Sequence, residues 1–411
     1  MARMVMTGGM VFDGTGAAPE RADVVIEAGR IVELGTGLDG DELVDVSGKT
    51  VLPGLIDCHV HLGLRSVDFM GAMQRPFALR YFETAHDLAA TLDTGITTVR
   101  DAGGASLGVK TAVEQGLVRG PRMMISLTML SQTGGHGDGW LPSGAELSIF
   151  RGDPGIPSNL VDGPAEMRKK VRELVRAGAD CIKVATSGGV LSPRDDPRHA
   201  HFGIEELDVL VAEATAAGIH VLAHAQGTQG IRNAVEAGIR SIEHGIYLDE
   251  ETVDRMRERG TWLVPTLIAP QGVLRAAENG TTLPDWALDK ARQVVDIHRA
   301  SIRMAIEAGV SIAFGTDCPV SPHGTNLDEF VLMAELGMTP AEVLSAATGR
   351  AADLIGVAGD RGTIAPGLRA DLVVIDGDAF DFAGLRDRIV SVYQDGVEVG
   401  GPRFHGSLTV V

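Results

Sequence analysis

Apolar and polar positions along the chain switch between two periods. At six places a stretch with helical spacing ends in a glycine and gives way to a short apolar run: "DTGITTVR" at Gly95, "RAGADCIKV" at Gly178, "AAGIHVLAH" at Gly218, "EAGIRSIEH" at Gly238, "ERGTWLVPT" at Gly260 and "EAGVSIAFGTD" at Gly309. A glycine just past a helix end takes the left-handed conformation of a C-cap, and the apolar run behind it reads as a strand. The segment "PAEMRKKVRELVRAG" shows the helical half of the unit. It opens with Pro164 in the first turn and spaces Met167, Val171, Leu174 and Val175 along one face. Strands this apolar are buried on both faces, as parallel strands between crossover helices are. Adding the run before His59 and the run 122–130 makes eight strands, so the pattern predicts an α/β fold, a (β/α)8 TIM-like barrel over residues 53–358. The competing open doubly wound sheet requires a phosphate loop or a switch-point crevice, and the chain offers neither.

The two ends follow another rhythm. Residues 1–52 contain "MVMTGGMVFDG", "DVVIEAGRIVELG" and "ELVDVSGKTV", and residues 359–411 contain "ADLVVIDGD" and "IVSVYQDGVEV". These are short strands parted by turn residues. The economical prediction is one small β-sandwich domain built from both termini beside the barrel.

Composition narrows the function. With 36 basic against 55 acidic residues the net charge is −19, a surface that repels nucleic acid and anionic membranes. No run has the length of a membrane span, and the N-terminal stretch lacks the apolar core of a secretory leader. Three cysteines, Cys58, Cys181 and Cys318, fit no disulfide framework and read as core. The expectation is a cytoplasmic, enzyme-like globular chain, and a barrel with extensive helical surface and such a β-domain is expected to assemble as a homo-oligomer.

Barrel enzymes carry their chemistry at the C-terminal strand ends. Here those ends present His59 and His61 in "GLIDCHVHL", Arg100–Asp101, the loop "SQTGGHGDGW" with His136, then Lys183, His224, His244, Thr266 and Asp317. Alternate strand residues share a face, so His59 and His61 point inward together while Cys58 and Val60 turn toward the helices. Two imidazoles on one face, joined by His224, His244 and Asp317 at similar heights, suit a divalent cation. Lys183 has two readings. A desolvated amine tends to its neutral form and can add carbon dioxide to give a metal-bridging carbamate, or the ammonium binds a substrate anion.

"GLIDCHVHL", "CIKVATSGG", "VLAHAQG", "SIEHG" and "AFGTDCP" together resemble the amidohydrolase superfamily. Within it they are most similar to the imidazolonepropionase-like and Xaa-Pro dipeptidase branch, which includes ochratoxin-hydrolysing enzymes. The resemblance covers nearly the whole chain. It implies two divalent metal ions, zinc first and manganese or cobalt next. His59, His61 and Asp317 would hold one, His224 and His244 the other, with a carbamate on Lys183 and a hydroxide between them. The implied reaction is hydrolysis of an amide bond by that hydroxide, with Asp317 as general base and then acid. It also implies a small-molecule or dipeptide substrate, contacted by His136 and Tyr247, with a free C-terminal amino acid among the products.

Other features stay outside this set. The loop 137–163 is long enough to be a lid, and a second pair, His199 and His201, reads as lid or surface. Arg100–Asp101 reads as a buried pair that orients the site. A mononuclear deaminase would carry a glutamate three residues past His224, where this chain has Gly227. Ring opening of a cyclic amide, as in imidazolonepropionase, is the alternative within hydrolysis. A non-catalytic assembly protein is disfavoured because all six ligand positions are filled.

Overall fold

The computed structural model describes residues 2–146, 153–192 and 194–404. Their fold is mixed α/β. Two sheets are parallel throughout. One has the order Arg122–Ile125, Ile96–Asp101, Leu55–Val60, and the other runs Met129–Leu130, Cys181–Ala185, His220–Ala225, Ser241–His244, Trp262–Val264. Helices such as Pro164–Arg176, Ile204–Ala216, Thr228–Glu236 and Glu250–Arg259 connect successive strands. All six predicted capping glycines adopt positive φ, between 67° and 94°, so the helix-to-strand reversals fall where the pattern placed them.

Two predicted strands differ in detail. The run 122–130 is broken at Ser126–Thr128, where Leu127 takes φ 67°. The run after Gly309 makes bridges instead of a regular strand. Leu263 pairs with Ile312, Val60 pairs with Cys318, and the Cys58 amide donates to the Phe314 carbonyl at 2.9 Å. This segment thus hydrogen-bonds to an edge strand of each parallel sheet. Its regularity is interrupted by Gly315 and by Asp317, which has φ 60°. On helix Pro164–Arg176, Met167, Val171 and Leu174 are buried, but Val175 is 37% exposed. One residue past Leu174 rotates about 100° off the buried face.

The chain ends build two further sheets. One has the order Arg30–Gly35, Asp23–Glu27, Met4–Thr7, Glu42–Asp45. In the other, Leu372–Asp376 lies antiparallel to Lys49–Pro53 and brings the two termini together. Met6, Val24, Ile31, Val51, Leu372 and Val374 share one apolar core between these sheets. Lys49–Pro53 runs on through Gly54 into Leu55–Val60, so this layer leads directly into the strand that carries the first histidines. Among the described residues no helix is long and apolar enough to cross a membrane.

Candidate metal centre

The strand Leu55–Val60 ends at the histidine pair, with ring centroids 5.4 Å apart. Val60 lies in the main apolar core, and Cys58 packs against Ala351, Ala352 and Leu354 of the helix Gly349–Ile355. The alternation therefore sends the cysteine outward and the imidazoles inward. All three cysteines are free and buried.

The inward side chains converge. Asp317 Oδ1 lies 3.3 Å from His59 Nε2 and 3.1 Å from His61 Nε2. Lys183 Nζ is 3.3 Å from His59 Nε2. The His244 ring is 5.1 Å from that of His59 and 4.7 Å from that of His224. His59, His244 and Asp317 offer ligand atoms all within 4.8 Å of one another. This trio cuts across the partition expected from the resemblance, which set His244 apart from His59 and Asp317.

Each imidazole is oriented through its other nitrogen. His59 Nδ1 meets Glu243 Oε2 at 2.7 Å, His61 Nδ1 meets the Gly103 carbonyl at 2.8 Å, and His244 Nδ1 meets Thr266 Oγ1 at 2.7 Å. His224 is turned the other way, with Nε2 3.1 Å from the Gly188 carbonyl, so its Nδ1 is left for the centre. Outer partners of this kind fix tautomer and ring direction at metal sites. The donor set of imidazole nitrogens and one carboxylate suits a borderline divalent cation, so the residues fit such an ion.

The backbone is strained here. His244, Thr266 and Asp317 have φ of 75°, 50° and 60°. For a β-branched threonine this is a genuine outlier, and such outliers cluster at functional sites.

Burial and charge tune the groups. Desolvation lowers the Lys183 amine to about 8, against the pull of Glu243 and Asp317 toward the charged form. Burial opposes the charge on Asp317, yet the His59 and His61 imidazoles outweigh it and hold the carboxyl well below its usual range. Burial keeps His224 and His244 neutral, the form in which imidazole binds metal.

Above the cluster is a cavity of about 890 Å³, its open mouth included. Its floor holds His59, His61, Lys183, His224, His244 and Asp317, and Phe69, Val190, Leu191, Ile246 and Val273 give it an apolar wall. His136 lines it too, its ring stacked on His224 with centroids 4.1 Å apart. Tyr247 is partly buried and packs on the cluster that contains Val190, Ile246 and Val273. Its amide and carbonyl are bound to Gln226 and Thr228.

Arg100 and Asp101 are both fully buried but do not pair with each other. Arg100 binds the Cys58 carbonyl, Ser241 and Glu243, while Asp101 accepts from the amides of Leu62, Gly103 and Ala105. His199 is exposed, whereas His201 is buried. The surface reading therefore fits only the first of that pair, because the Ser187–Ala200 bridge draws the chain inward at His201. The loop 137–163 includes residues 147–152, which lie outside the described residues.

Two contributors were missed in the sequence. Glu243 carried a signal, since a carboxylate inside a buried strand demands a partner. His298 carried none. It sits midway along the helix Asp285–Glu307, lines the cavity, and its Nε2 meets the His244 carbonyl at 2.8 Å.

The chain is similar to known proteins. The chain is 34% identical to ochratoxinase from Aspergillus niger over 391 residues, covering 90% of this chain and 81% of that protein. It is 27% identical to imidazolonepropionase from Geobacillus sp. (strain WCH70) over 412 residues, covering 87% and 84%. A prolidase solved in complex with N-methylphosphonate-L-proline superposes with a TM-score of 0.90 at 37% identity, covering 97% of this chain and 100% of that one. The sequence profile of the amidohydrolase family matches residues 50–399, and with these relatives it establishes that the chain belongs to the amidohydrolase family, as a hydrolase of the metal-dependent kind.

Proposed function

We propose that the enzyme hydrolyses the amide bond that precedes a C-terminal amino acid, as a dipeptidase or carboxypeptidase-like amidase. The observation that carries this is the two-part cavity, a floor of histidine, lysine and aspartate beneath an apolar wall. Such a site orients a small amide by its polar groups and seats an apolar side chain or acyl group against the wall. The likeness to a prolidase and to ochratoxinase supports it.

In this reading the two parallel sheets are arcs of one eight-stranded barrel closed by the segment 311–318, with the described parts of residues 1–52 and 359–411 as the flanking β-domain. His59, His61 and Asp317 would hold one divalent cation, zinc being the first candidate, and His224 and His244 a second. Lys183, buried and partly neutral, would bridge them as a carbamate, its amine losing one proton as it adds carbon dioxide. Bound cations would polarise the scissile carbonyl and acidify water. The chain's residues do the rest. Asp317 takes a proton from the attacking water and returns it to the leaving nitrogen. His136 meets the substrate from the wall beside His224. Buried free cysteines support a reducing compartment such as the cytoplasm. The exposed apolar side chains Met70, Met73, Phe77 and Phe82, the last 74% exposed, support self-association.

Amino-acid release by the zinc-loaded enzyme from Xaa-Pro dipeptides, Xaa-Phe dipeptides and N-acyl amino acids tests the reading. Turnover of Xaa-Pro alone makes it a prolidase-type dipeptidase, and turnover of N-blocked substrates a carboxypeptidase-like amidase. Silence on all three rejects both and moves the reaction to cyclic amides.

A further inference from the structure

The helix Asp285–Glu307 places Lys290, Val294, His298 and Ser301 at spacings that keep them on one face. Each polar member of this stripe ends on backbone at the rim of the site. His298 meets the His244 carbonyl, and the Ser301 hydroxyl donates to the Ile246 carbonyl at 2.7 Å. Lys290 reaches a different loop. Its ammonium donates to the carbonyls of Gly189 at 3.0 Å, Ser192 at 2.8 Å and Asp195 at 2.6 Å, and lies 3.4 Å from Asp195 Oδ1. Its side chain is only 19% exposed and stands over the Trp286 ring. An ammonium has three protons to donate, and here three carbonyls converge on it. A lysine is usually a mobile, hydrated surface group, so this one is committed to holding a turn.

The turn in its grip ends at His136. Asp195 accepts from the Gly189 amide at 3.1 Å and from the Ser192 hydroxyl, and its Oδ2 is 3.4 Å from His136 Nδ1. Since the Ser192 proton is given to Asp195, the serine oxygen is free to accept from His136 Nδ1, at 2.7 Å. Gly189 faces the same imidazole so closely that a Cβ there would overlap the ring. His136 is thus pressed flat between this turn and His224, with an interplanar angle of 18°.

We propose that Lys290 and Asp195 are positioning residues for His136, and through it determinants of which substrates the cavity accepts. The ammonium ties Gly189, Ser192 and Asp195 together, Asp195 and Ser192 fix Nδ1 as the donor, and the ring is left with Nε2 for the cavity. The effect on substrate rests on the reading of His136 as a substrate contact, but the effect on the ring does not.

The test uses the metal-loaded enzyme carrying Lys290→Met, Gly189→Ala, His136→Asn, or the first and third together, with kinetics and crystal structures of each. Lys290→Met is expected to lower kcat/KM by about 10- to 100-fold, mainly through KM, the usual range for outer-shell positioning groups. Its structure should show the His136 ring displaced from His224. Adding Lys290→Met to His136→Asn should cost nothing more, because both remove one interaction. Multiplying losses, or a ring still stacked on His224 in Lys290→Met, overturns the proposal. Should Lys290→Met fail to fold, Gly189→Ala keeps the clamp and pushes on the ring, so an unchanged KM there overturns it as well. Wild-type kinetics for His136→Asn would reject the substrate contact alone. The ring position in Lys290→Met then decides the positioning claim by itself.

Discussion

Arg100 and Glu243 form an ion pair of 2.9 Å in which neither side chain reaches solvent, and Glu243 spends its other oxygen on His59 Nδ1. The two come from different parallel sheets, so the pair ties those sheets together beneath the centre and aims the first histidine. Arg100 outweighs the burial of Glu243 and keeps its carboxyl well below the usual range. Removing one partner of such a pair leaves a buried charge without compensation, which costs about 3–5 kcal/mol. Glu243→Gln is therefore expected to lower stability by that order in urea unfolding, and to reduce turnover further than stability alone explains. Wild-type stability would mean that water or another group compensates Arg100.

If Lys183 bridges two cations as proposed, Lys183→Ala abolishes turnover and depletes bound metal. Asp317→Asn should abolish turnover while keeping most of the metal, since an amide oxygen still ligates but takes no proton. Metal content by atomic emission separates the two. Near-wild-type activity in Lys183→Ala would reject the bridging carbamate.

Much of this cluster was legible because its histidines sit where strands end. The pair His59 and His61 announces its shared face by spacing alone, and His224 and His244 follow the same glycine-to-strand joints. What was hidden depends on packing across the chain. His298 comes from the middle of a 23-residue helix and reaches the site only because that helix lies across the rim. The Arg100–Glu243 partnership joins residues 143 positions apart, and sequence proximity suggested Arg100–Asp101 instead.

Gly315 faces the His59 backbone, and a Cβ there would come 3.0 Å from His59 Cβ and inside contact of Val264 Cγ1. Neither neighbour can yield, since both are fully buried strand residues. Gly315→Ala should destabilise by about 1–3 kcal/mol, the range for an overpacked core. It should also weaken metal retention by shifting His59. Chelator challenge measured against urea unfolding separates these effects, and unchanged metal retention would show that the strand absorbs the methyl without moving the imidazole.

His298 makes stability depend on pH in a definite direction. Burial lowers its pKa from 6.5 to about 4, although the carbonyls of His244 and Pro265 favour the charged ring. Between those values the unfolded chain binds a proton that the folded protein refuses. Stability from this group is therefore complete above the unfolded pKa and falls as pH drops through the folded one, by about 3 kcal/mol in all. His298→Gln removes the titration while keeping a side-chain donor for the His244 carbonyl. The wild type's stability advantage over this variant, read from urea unfolding of the metal-free proteins, should shrink steadily from pH 6.5 to pH 4. An advantage that stays constant across that interval would mean that His298 protonates as readily in the folded protein as in the unfolded chain. The helix would then brace His244 by packing alone.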